Sequence, residues 1–394
     1  MHIAFTAQQE QLRQELRQYF AGLAREYELE ELSEPETAAQ ARDGSYRAIT
    51  SRLGADGWLG IGWPKEYGGR DRSVIDQLIF ADEAMMAGIA LPTLSLSTVG
   101  PMIMEYGTDE QRNFFLPKIL KGELHFSIGY SEPEGGTDLA SLRTRAVRDG
   151  DEYVINGQKM WTSLIQYADY VWLAVRTGPE SLRHRALSIL LVPTDVPGFK
   201  WTPVGTMGGS YTSQTFYDDV RVPAANRVAA ENEGWKLITG QLNRERVALC
   251  SPAGVQRLLG DVRRWATETT DTSGRRVIDY EWVRVNLARV HAKTEFLKLI
   301  NWKVAAEAGH GVTPGEASAT KVFGTELYCE AYRLLMECLG EEAYVQAGSP
   351  GAKLRGRLER MYRSSLILTF GGGTNEIQRD LIATTAMGMP RARR

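Results

Sequence analysis

Three stretches of this chain combine residue types able to hold an anion, face a flat ligand or move a proton. The first is F-G-G-G-T-N-E-I-Q-R, Phe370 to Arg379. Three consecutive glycines permit backbone angles and close approaches that a Cβ forbids. Thr374 can cap the amphipathic run from Ile377 to Met387, and the free amides and dipole at that end suit a phosphate or an oxyanion. The plain alternative is a flexible loop before a C-terminal helix. The second stretch is F-S-I-G-Y-S-E-P-E-G-G-T-D, Phe126 to Asp138, where Ser131, Gly135, Gly136 and Thr137 surround a turn rich in donors. Its plain reading is a tight loop leaving a strand. The third is N-G-Q-K-M-W-T-S, Asn156 to Ser163, with Trp161 beside two hydroxyls; taken alone, that is a core tryptophan. Glu245, between Arg244 and Arg246, reads in isolation as part of a solvated helix face.

The elements that must position these residues change texture along the chain. With 394 residues, 43% hydrophobic and 24% charged, the chain is too long for one ordinary core and normal for a soluble globular protein. A net charge of −3 gives no basic footprint for nucleic acid. Cys250, Cys329 and Cys338 form neither a disulfide framework nor a metal-ligand pattern, which fits a reducing, cytoplasmic setting. The first residues lack the apolar stretch of a signal peptide, and no window is apolar enough to span a bilayer.

Residues 1–124 read as helical. Thr6 and Gln9 have capping-box spacing, Leu12, Leu16, Phe20 and Leu23 form one stripe, and helical patterns run from Ser73 to about Gly122. In W-L-G-I-G-W-P-K, from Trp58, the third glycine of a dinucleotide fingerprint is replaced by Lys65 and no strand precedes, so a Rossmann site is rejected. Residues 125–230 carry short β-rich runs at Tyr153–Ile155, Tyr170–Arg176, Leu187–Val192 and Gln214–Val222, and Asn156-Gly157 is a hairpin signal. Residues 231–394 return to helical runs at about 234–267, 279–309, 315–339, 351–367 and 375–387, enough for an antiparallel bundle. The fold class is α+β: a helical domain, a compact middle β domain and a C-terminal helical bundle.

Together, G-T-D-E-Q-R-N-F-F-L-P-K-I (Gly107 to Ile119), S-E-P-E-G-G-T-D, N-G-Q-K-M-W-T-S and G-G-G-T-N-E-I-Q-R resemble the acyl-CoA dehydrogenase family over nearly the whole chain. The resemblance implies an N-terminal helical domain, a middle β domain of barrel or sandwich type and a C-terminal four-helix bundle, with FAD as cofactor, an acyl-CoA thioester as substrate and an electron-transfer flavoprotein or equivalent acceptor. It implies that Ile128 to Ser131 run beside the flavin, with the Tyr130 backbone and the Ser131 hydroxyl at its polar edge. Gly136 and Thr137 would lie near the diphosphate and the thioester end of the substrate. Trp161 would pack on the flavin, Ser163 would bond near its N5 side, and Thr374 and Glu376 would sit near the ADP part.

The reaction class needs a base for the substrate α-proton, a role that contributes about 10²–10⁴-fold. Many family members carry that glutamate immediately before the G-T of the C-terminal motif, where this chain has Gly372. A smaller branch, including isovaleryl-CoA dehydrogenase, carries it on an earlier helix in a segment like L-x-x-E-R. L-N-R-E-R-V-A-L, Leu242 to Leu249, puts Glu245 at that place. Gly372 would then offer its N–H to the thioester oxygen, and Arg246 would lie near the CoA or acyl end.

Two family features that reach a neighbouring subunit's FAD are absent. An R-x-F-G segment followed by Gln is replaced by T-S-G-R-R-V-I-D-Y-E-W, Thr272 to Trp282, and Q-x-L-G-G-x-G by E-C-L-G-E-E-A-Y, Glu337 to Tyr344. Acidic groups near a pyrophosphate would repel it. This pattern implies a paralogous partner subunit in an α2β2 heterotetramer. Within the family, L-H-F-S-I-G-Y-S-E-P, M-W-T-S-L-I-Q-Y-A-D-Y-V-W and L-T-F-G-G-G-T-N-E resemble the base-bearing subunit of actinobacterial heterotetrameric enzymes acting on cholesterol side-chain CoA thioesters. The alternatives are a non-catalytic partner subunit and an acyl-CoA oxidase. Ser95, Ser97, Thr98 and Gly100 are small enough to border a wide pocket.

Overall fold

The computed structural model describes residues 4–28, 44–248, 250–307 and 313–390, with the side chains of residues 243–248 outside that description. The chain opens with helix α1 (Ala7–Glu26), where Thr6 and Gln9 close the expected capping box. Leu12, Leu16, Phe20 and Leu23 are all buried along one face. Next come α2 (Ser45–Ala55) and α3 (Val74–Ala87), a π-helical turn over Leu94–Val99, α4 (Gly100–Tyr106) and α5 (Asp109–Leu120). Arg17 grips the buried Glu83 carboxylate with two N–H groups at 3.0 and 2.8 Å, tying α1 to α3. The helical run expected from Ser73 to Gly122 is interrupted at Gly88 and Gly107. Gly88 takes φ 80° as the left-handed cap of α3.

The middle of the chain folds into one mixed sheet, β1 (Phe126–Gly129), β2 (Arg145–Asp149), β3 (Glu152–Lys159), β4 (Tyr170–Arg176), β5 (Leu187–Pro193), β6 (Phe199–Gly205), β7 (Tyr211–Pro223) and β8 (Arg227–Val228). Its order is β6-β7-β3-β2-β4-β5-β8, and β1 pairs in parallel with β4. Strands β4 and β5 are buried on both faces, which explains their nearly unbroken apolar sequences. Trp172, Ala174, Ile189 and Leu191 face the core shared with the N-terminal helices. Val171, Leu173, Val175, Leu190 and Val192 face a second core closed by Tyr153, Ile155, Tyr217, Val220 and Val222.

Asn156-Gly157 is not a hairpin turn. It lies inside β3, where the register against β7 slips between Ile155 and Gly157. The Asn156 amide holds this bulge by bonding Asp219 through both its side-chain atoms, at 2.8 and 2.9 Å. Gly157 is required there, because a Cβ would stand 2.7 Å from Thr144 Cα. The turn between β2 and β3 falls instead at Gly150, φ 61°.

The helices after the sheet are α6 (Gly234–Ala248), α7 (Ala253–Glu268), α8 (Glu281–Glu307), α9 (Pro314–Leu339), α10 (Arg357–Ser365) and α11 (Asn375–Leu381), extended by a π turn over Ile382–Ala386. The run expected as one helix over 234–267 is two, because Pro252 has no N–H to continue the ladder. Residues from α7, α8, α9 and α10 share the third core, including Val262, Val290, Leu335 and Leu358. No helix among the described residues is long and apolar enough to cross a membrane.

The helical domain also depends on a bare backbone contact. A Cβ on Gly54, in α2, would stand 2.3 Å from the main-chain carbonyl of Lys121. On an open helix, alanine is better than glycine by about 1 kcal/mol. Here the contact outweighs that gain, so Gly54→Ala is expected to lower the thermal midpoint by several degrees. A midpoint unchanged or raised, measured by calorimetry, would show that the contact yields.

Candidate functional site

Strand β1 has β4 on one edge and no strand on the other among the described residues. On that open side the Phe126 N–H donates to Ser95 Oγ at 2.9 Å, and the Tyr130 carbonyl accepts from Lys159 Nζ at 3.0 Å. Main-chain groups of alternate strand residues point the same way, so those of Ile128, midway between, share this open edge. Ser131 follows, half-buried, its carbonyl accepting from Met160 N–H at 2.8 Å.

Two residues past the end of β3, Trp161 is 54% exposed. Its backbone is left-handed, φ 65°, a conformation costing about 1–3 kcal/mol for a residue with a side chain. A large aromatic held out of the core in a strained backbone is the feature that most sets this segment apart, and it excludes the core-tryptophan reading. Ser163 is exposed; its carbonyl accepts from Ser127 Oγ at 2.8 Å, and its hydroxyl lies 3.4 Å from Thr212 Oγ1. These bonds bring Ile128, Tyr130, Ser131, Trp161 and Ser163 to one wall. Gly136 and Thr137 are exposed on the loop beyond it, and no atom lies within 4 Å of where a Gly136 Cβ would sit.

The glycine triplet forms a second wall, carried by the helical bundle. Gly372 and Gly373 both take positive φ, 68° and 94°, so their backbone is one that side chains rarely adopt. Thr374 caps α11 by accepting from Ile377 N–H at 3.3 Å, and Glu376 is exposed in the first turn. Lys321 of α9 is fully buried beneath the loop. Its ammonium donates to the Thr369 carbonyl (3.2 Å), the Gly373 carbonyl (2.6 Å) and Asn375 Oδ1 (2.8 Å). Buried Ser318 donates to Gln378 Oε1 at 2.8 Å, completing the dock of α11 on α9. The loop before α11 is therefore anchored, not flexible.

Helix α6 packs against β5, the Leu94–Val99 turn and α9, and so reaches from the sheet to the bundle. Its backbone runs through Glu245 and Arg246, whose side chains lie outside the described residues. The chain just beyond is tethered from three sides. Asn301 Nδ2 donates to the Cys250 carbonyl at 2.7 Å, Ser251 Oγ donates to Asp82 at 2.6 Å, and the Tyr328 hydroxyl donates to the Ser251 carbonyl.

Thr98 and Gly100 border no wide pocket, and Ser95 borders only a small cavity with Tyr46, Pro92 and His125. Ser95 and Thr98 are buried and bonded to Phe126 and Leu94, while a Cβ on Gly100 would meet the Trp63 ring at 2.5 Å. Ser97 is half-buried.

The family models agree with this architecture. The acyl-CoA dehydrogenase N-terminal domain matches residues 6–123, the middle domain 127–220 and the C-terminal domain 232–387. The chain belongs to the acyl-CoA dehydrogenase family. It is 62% identical to the acyl-CoA dehydrogenase FadE26 of Mycobacterium tuberculosis, over 100% of each chain. Among solved structures it resembles a chain of the ChsE4-ChsE5 complex from Mycobacterium tuberculosis, with 62% identity, TM-score 0.90 and 100% of each chain covered. It also resembles the Tcur3481-Tcur3483 steroid ACAD, with 45% identity, TM-score 0.89 and 100% of each chain covered. The chain is thus an acyl-CoA dehydrogenase.

Acyl-CoA dehydrogenases generally depend on FAD. The residues present fit such a group: an open strand edge for a ring with donors and acceptors, an exposed indole for its face, and bare backbone at Gly136 and Gly372–Gly373 for charged oxygens.

Sequence reasoning assigned no role to Lys159, Glu132, Lys321, Asn375 or Gln378, all buried polar residues supporting these walls. A signal for Lys321 was present. Ser318, Lys321 and Thr325 recur at helical spacing on α9, a polar stripe inside an otherwise apolar helix.

Asp82 yields a pH test of the tether behind Glu245. Burial pushes its carboxyl up to about 7 against the Ser251 hydrogen bond, with Glu83 adding repulsion. The folded protein therefore keeps a proton that the unfolded chain releases above its ordinary value of 3.8. Asp82 favours folding most below that value, and this contribution is lost as pH rises to about 7. Asp82→Asn should flatten the thermal midpoint across this window; a midpoint that falls as steeply as in the wild type would mean the carboxylate is ionised in the fold.

Proposed function

We propose that this chain is the base-bearing, FAD-holding subunit of a heteromeric acyl-CoA dehydrogenase that converts a steroid side-chain CoA thioester to its 2-enoyl-CoA. The observation that carries the reading is the pairing of Gly372, left-handed and without a carboxylate, with Glu245 on the helix reaching from sheet to bundle.

FAD would supply the hydride acceptor. The main-chain edge of Ile128 and Tyr130 and the Ser131 hydroxyl would hold its polar rim, Trp161 would cover its ring, and Ser163 would bond beside it. Gly136 and Thr137 would meet the diphosphate, with Thr137 also near the thioester; Thr374 and Glu376 would lie near the ADP part. Glu245 takes the substrate α-proton onto its carboxylate. The Gly372 N–H donates to the thioester oxygen and stabilises the negative charge that develops there. Arg246 binds the CoA or acyl end. Electrons would leave through an electron-transfer flavoprotein or an equivalent acceptor.

Three features support a heteromer. Glu337, which stands where the family carries an amide, is engaged within the chain by Arg333 and by Asn286 at 3.1 Å, so an identical neighbour would meet an ion-paired carboxylate there instead of a free amide. Trp282, Val285, Phe296 and Leu299 are exposed along one side of α8, in two apolar pairs with Arg289 between them, the kind of surface another chain covers. The similar solved structures are named as two-component assemblies, ChsE4-ChsE5 and Tcur3481-Tcur3483.

Purified with its paralogous partner, the wild type should reduce its flavin with steroid side-chain CoA thioesters. Glu245→Gln should lower that rate by about 10²–10⁴-fold while FAD content stays the same. An unchanged rate removes Glu245 as the base, and bleaching by short linear thioesters alone removes the steroid substrate. The chain expressed alone should bind FAD substoichiometrically; a fully loaded, fully active homomer defeats the heteromer. Peroxide formed in step with substrate would identify an oxidase.

A further inference from the structure

The deepest ion pair of the middle domain lies directly behind the first wall. Lys159, at the end of β3, is 0% exposed, and its ammonium is 2.9 Å from Glu132 Oε1. Burying both ions costs several kcal/mol each, repaid only where every remaining polar site is satisfied. Here the satisfying partners are main-chain groups of particular segments. Lys159 Nζ donates its second bond to the Tyr130 carbonyl at 3.0 Å. Glu132 accepts from Arg143 N–H at 2.6 Å and Thr144 N–H at 2.8 Å. The lysine stem runs under β1, its Cγ 3.5 Å from where a Gly129 Cβ would sit.

The pair thus joins the two segments that meet at the wall. Tyr130, Ser131 and Glu132 continue from β1; Met160 and Trp161 continue from Lys159. Between them the Met160 N–H bonds the Ser131 carbonyl at 2.8 Å. A pair that served stability alone could attach anywhere in the core. This one fixes the carbonyl of Tyr130 on the open edge of β1 and, one residue away, the start of the turn that throws Trp161 outward.

We propose that Lys159 and Glu132 are positioning residues that set the spacing between the Ile128–Ser131 edge and the Trp161–Ser163 turn, and through it the affinity and potential of the flavin. Neither residue touches substrate. The inference rests on the reading of those two segments as the flavin walls.

The test uses the full chain purified with its paralogous partner, first confirmed to hold FAD as the wild type. Lys159→Met keeps length and loses the ammonium. Gly54→Ala, in α2 and part of neither wall, serves as a control for loss of stability alone. Lys159→Met should weaken FAD binding by about tenfold or more, the scale of a lost charge-assisted hydrogen bond. It should also shift the flavin reduction potential and the fine structure of its visible band. Gly54→Ala should leave all three unchanged at a comparable loss of thermal midpoint. Should Lys159→Met not fold, Glu132→Gln, which keeps volume and an acceptor, should show a smaller shift in the same direction. FAD affinity and potential equal to wild type in the folded variants, or altered equally in the control, overturn the proposal. A wild-type complex that binds no FAD overturns the flavin reading itself and this inference with it.

Discussion

An ammonium group taken out of water must be surrounded by oxygens, and both walls of this site are built on that constraint. Lys159 and Lys321 are each fully buried, and each bonds main-chain carbonyls of a candidate ligand-facing segment. Lys159 fixes Tyr130 just past the end of β1; Lys321 fixes Thr369, before the glycines, and Gly373, the second of the left-handed pair. Backbone that is bare enough for a ligand to approach closely has lost the side chains that would otherwise hold it. In the glycine loop Lys321 supplies from beneath what the missing side chains cannot; at β1, where Tyr130 is also held through its hydroxyl by Trp172, Lys159 fixes a carbonyl on the strand's unpaired edge.

The two walls belong to different layers, so their relation depends on what spans them. Helix α6 packs on both β5 and α9. On the opposite side, Ser364 donates to the Gly208 carbonyl at 2.9 Å and Arg363 to that of Met207, binding α10 to the β6–β7 turn. The break between α6 and α7 is held by Asn301, Asp82 and Tyr328, which come from α8, α3 and α9. Three elements thus converge on Cys250 and Ser251 and fix where α6 ends.

Much of the architecture was legible in the sequence because it follows from local periodicity. The α1 stripe and its capping box, the apolar runs of β4 and β5, and the cap at Thr374 are all short-range patterns, and each stands in the structure as read. Where local signals misled, a distant contact had prevailed. Asn156-Gly157 is a turn pair by propensity, but Asp219 and the close approach of Thr144 made it a bulge. The small residue Gly100 read as space, yet the Trp63 ring occupies it.

By itself the sequence determined the order of helix, sheet and helix, the family, and the contrast between Gly372 and Glu245, since motif spacing and residue type are properties of the chain alone. Tertiary structure decided that Trp161 stands outside the core in a left-handed backbone, and that the glycine loop is anchored rather than loose. It also decided that Lys159 and Lys321 are buried supports rather than surface charges. The reason is one of range. A lysine's sequence neighbours give no account of its desolvation or of the carbonyls that offset it, because Tyr130, Thr369 and Gly373 reach those ammonium groups only once separate strands and helices have packed.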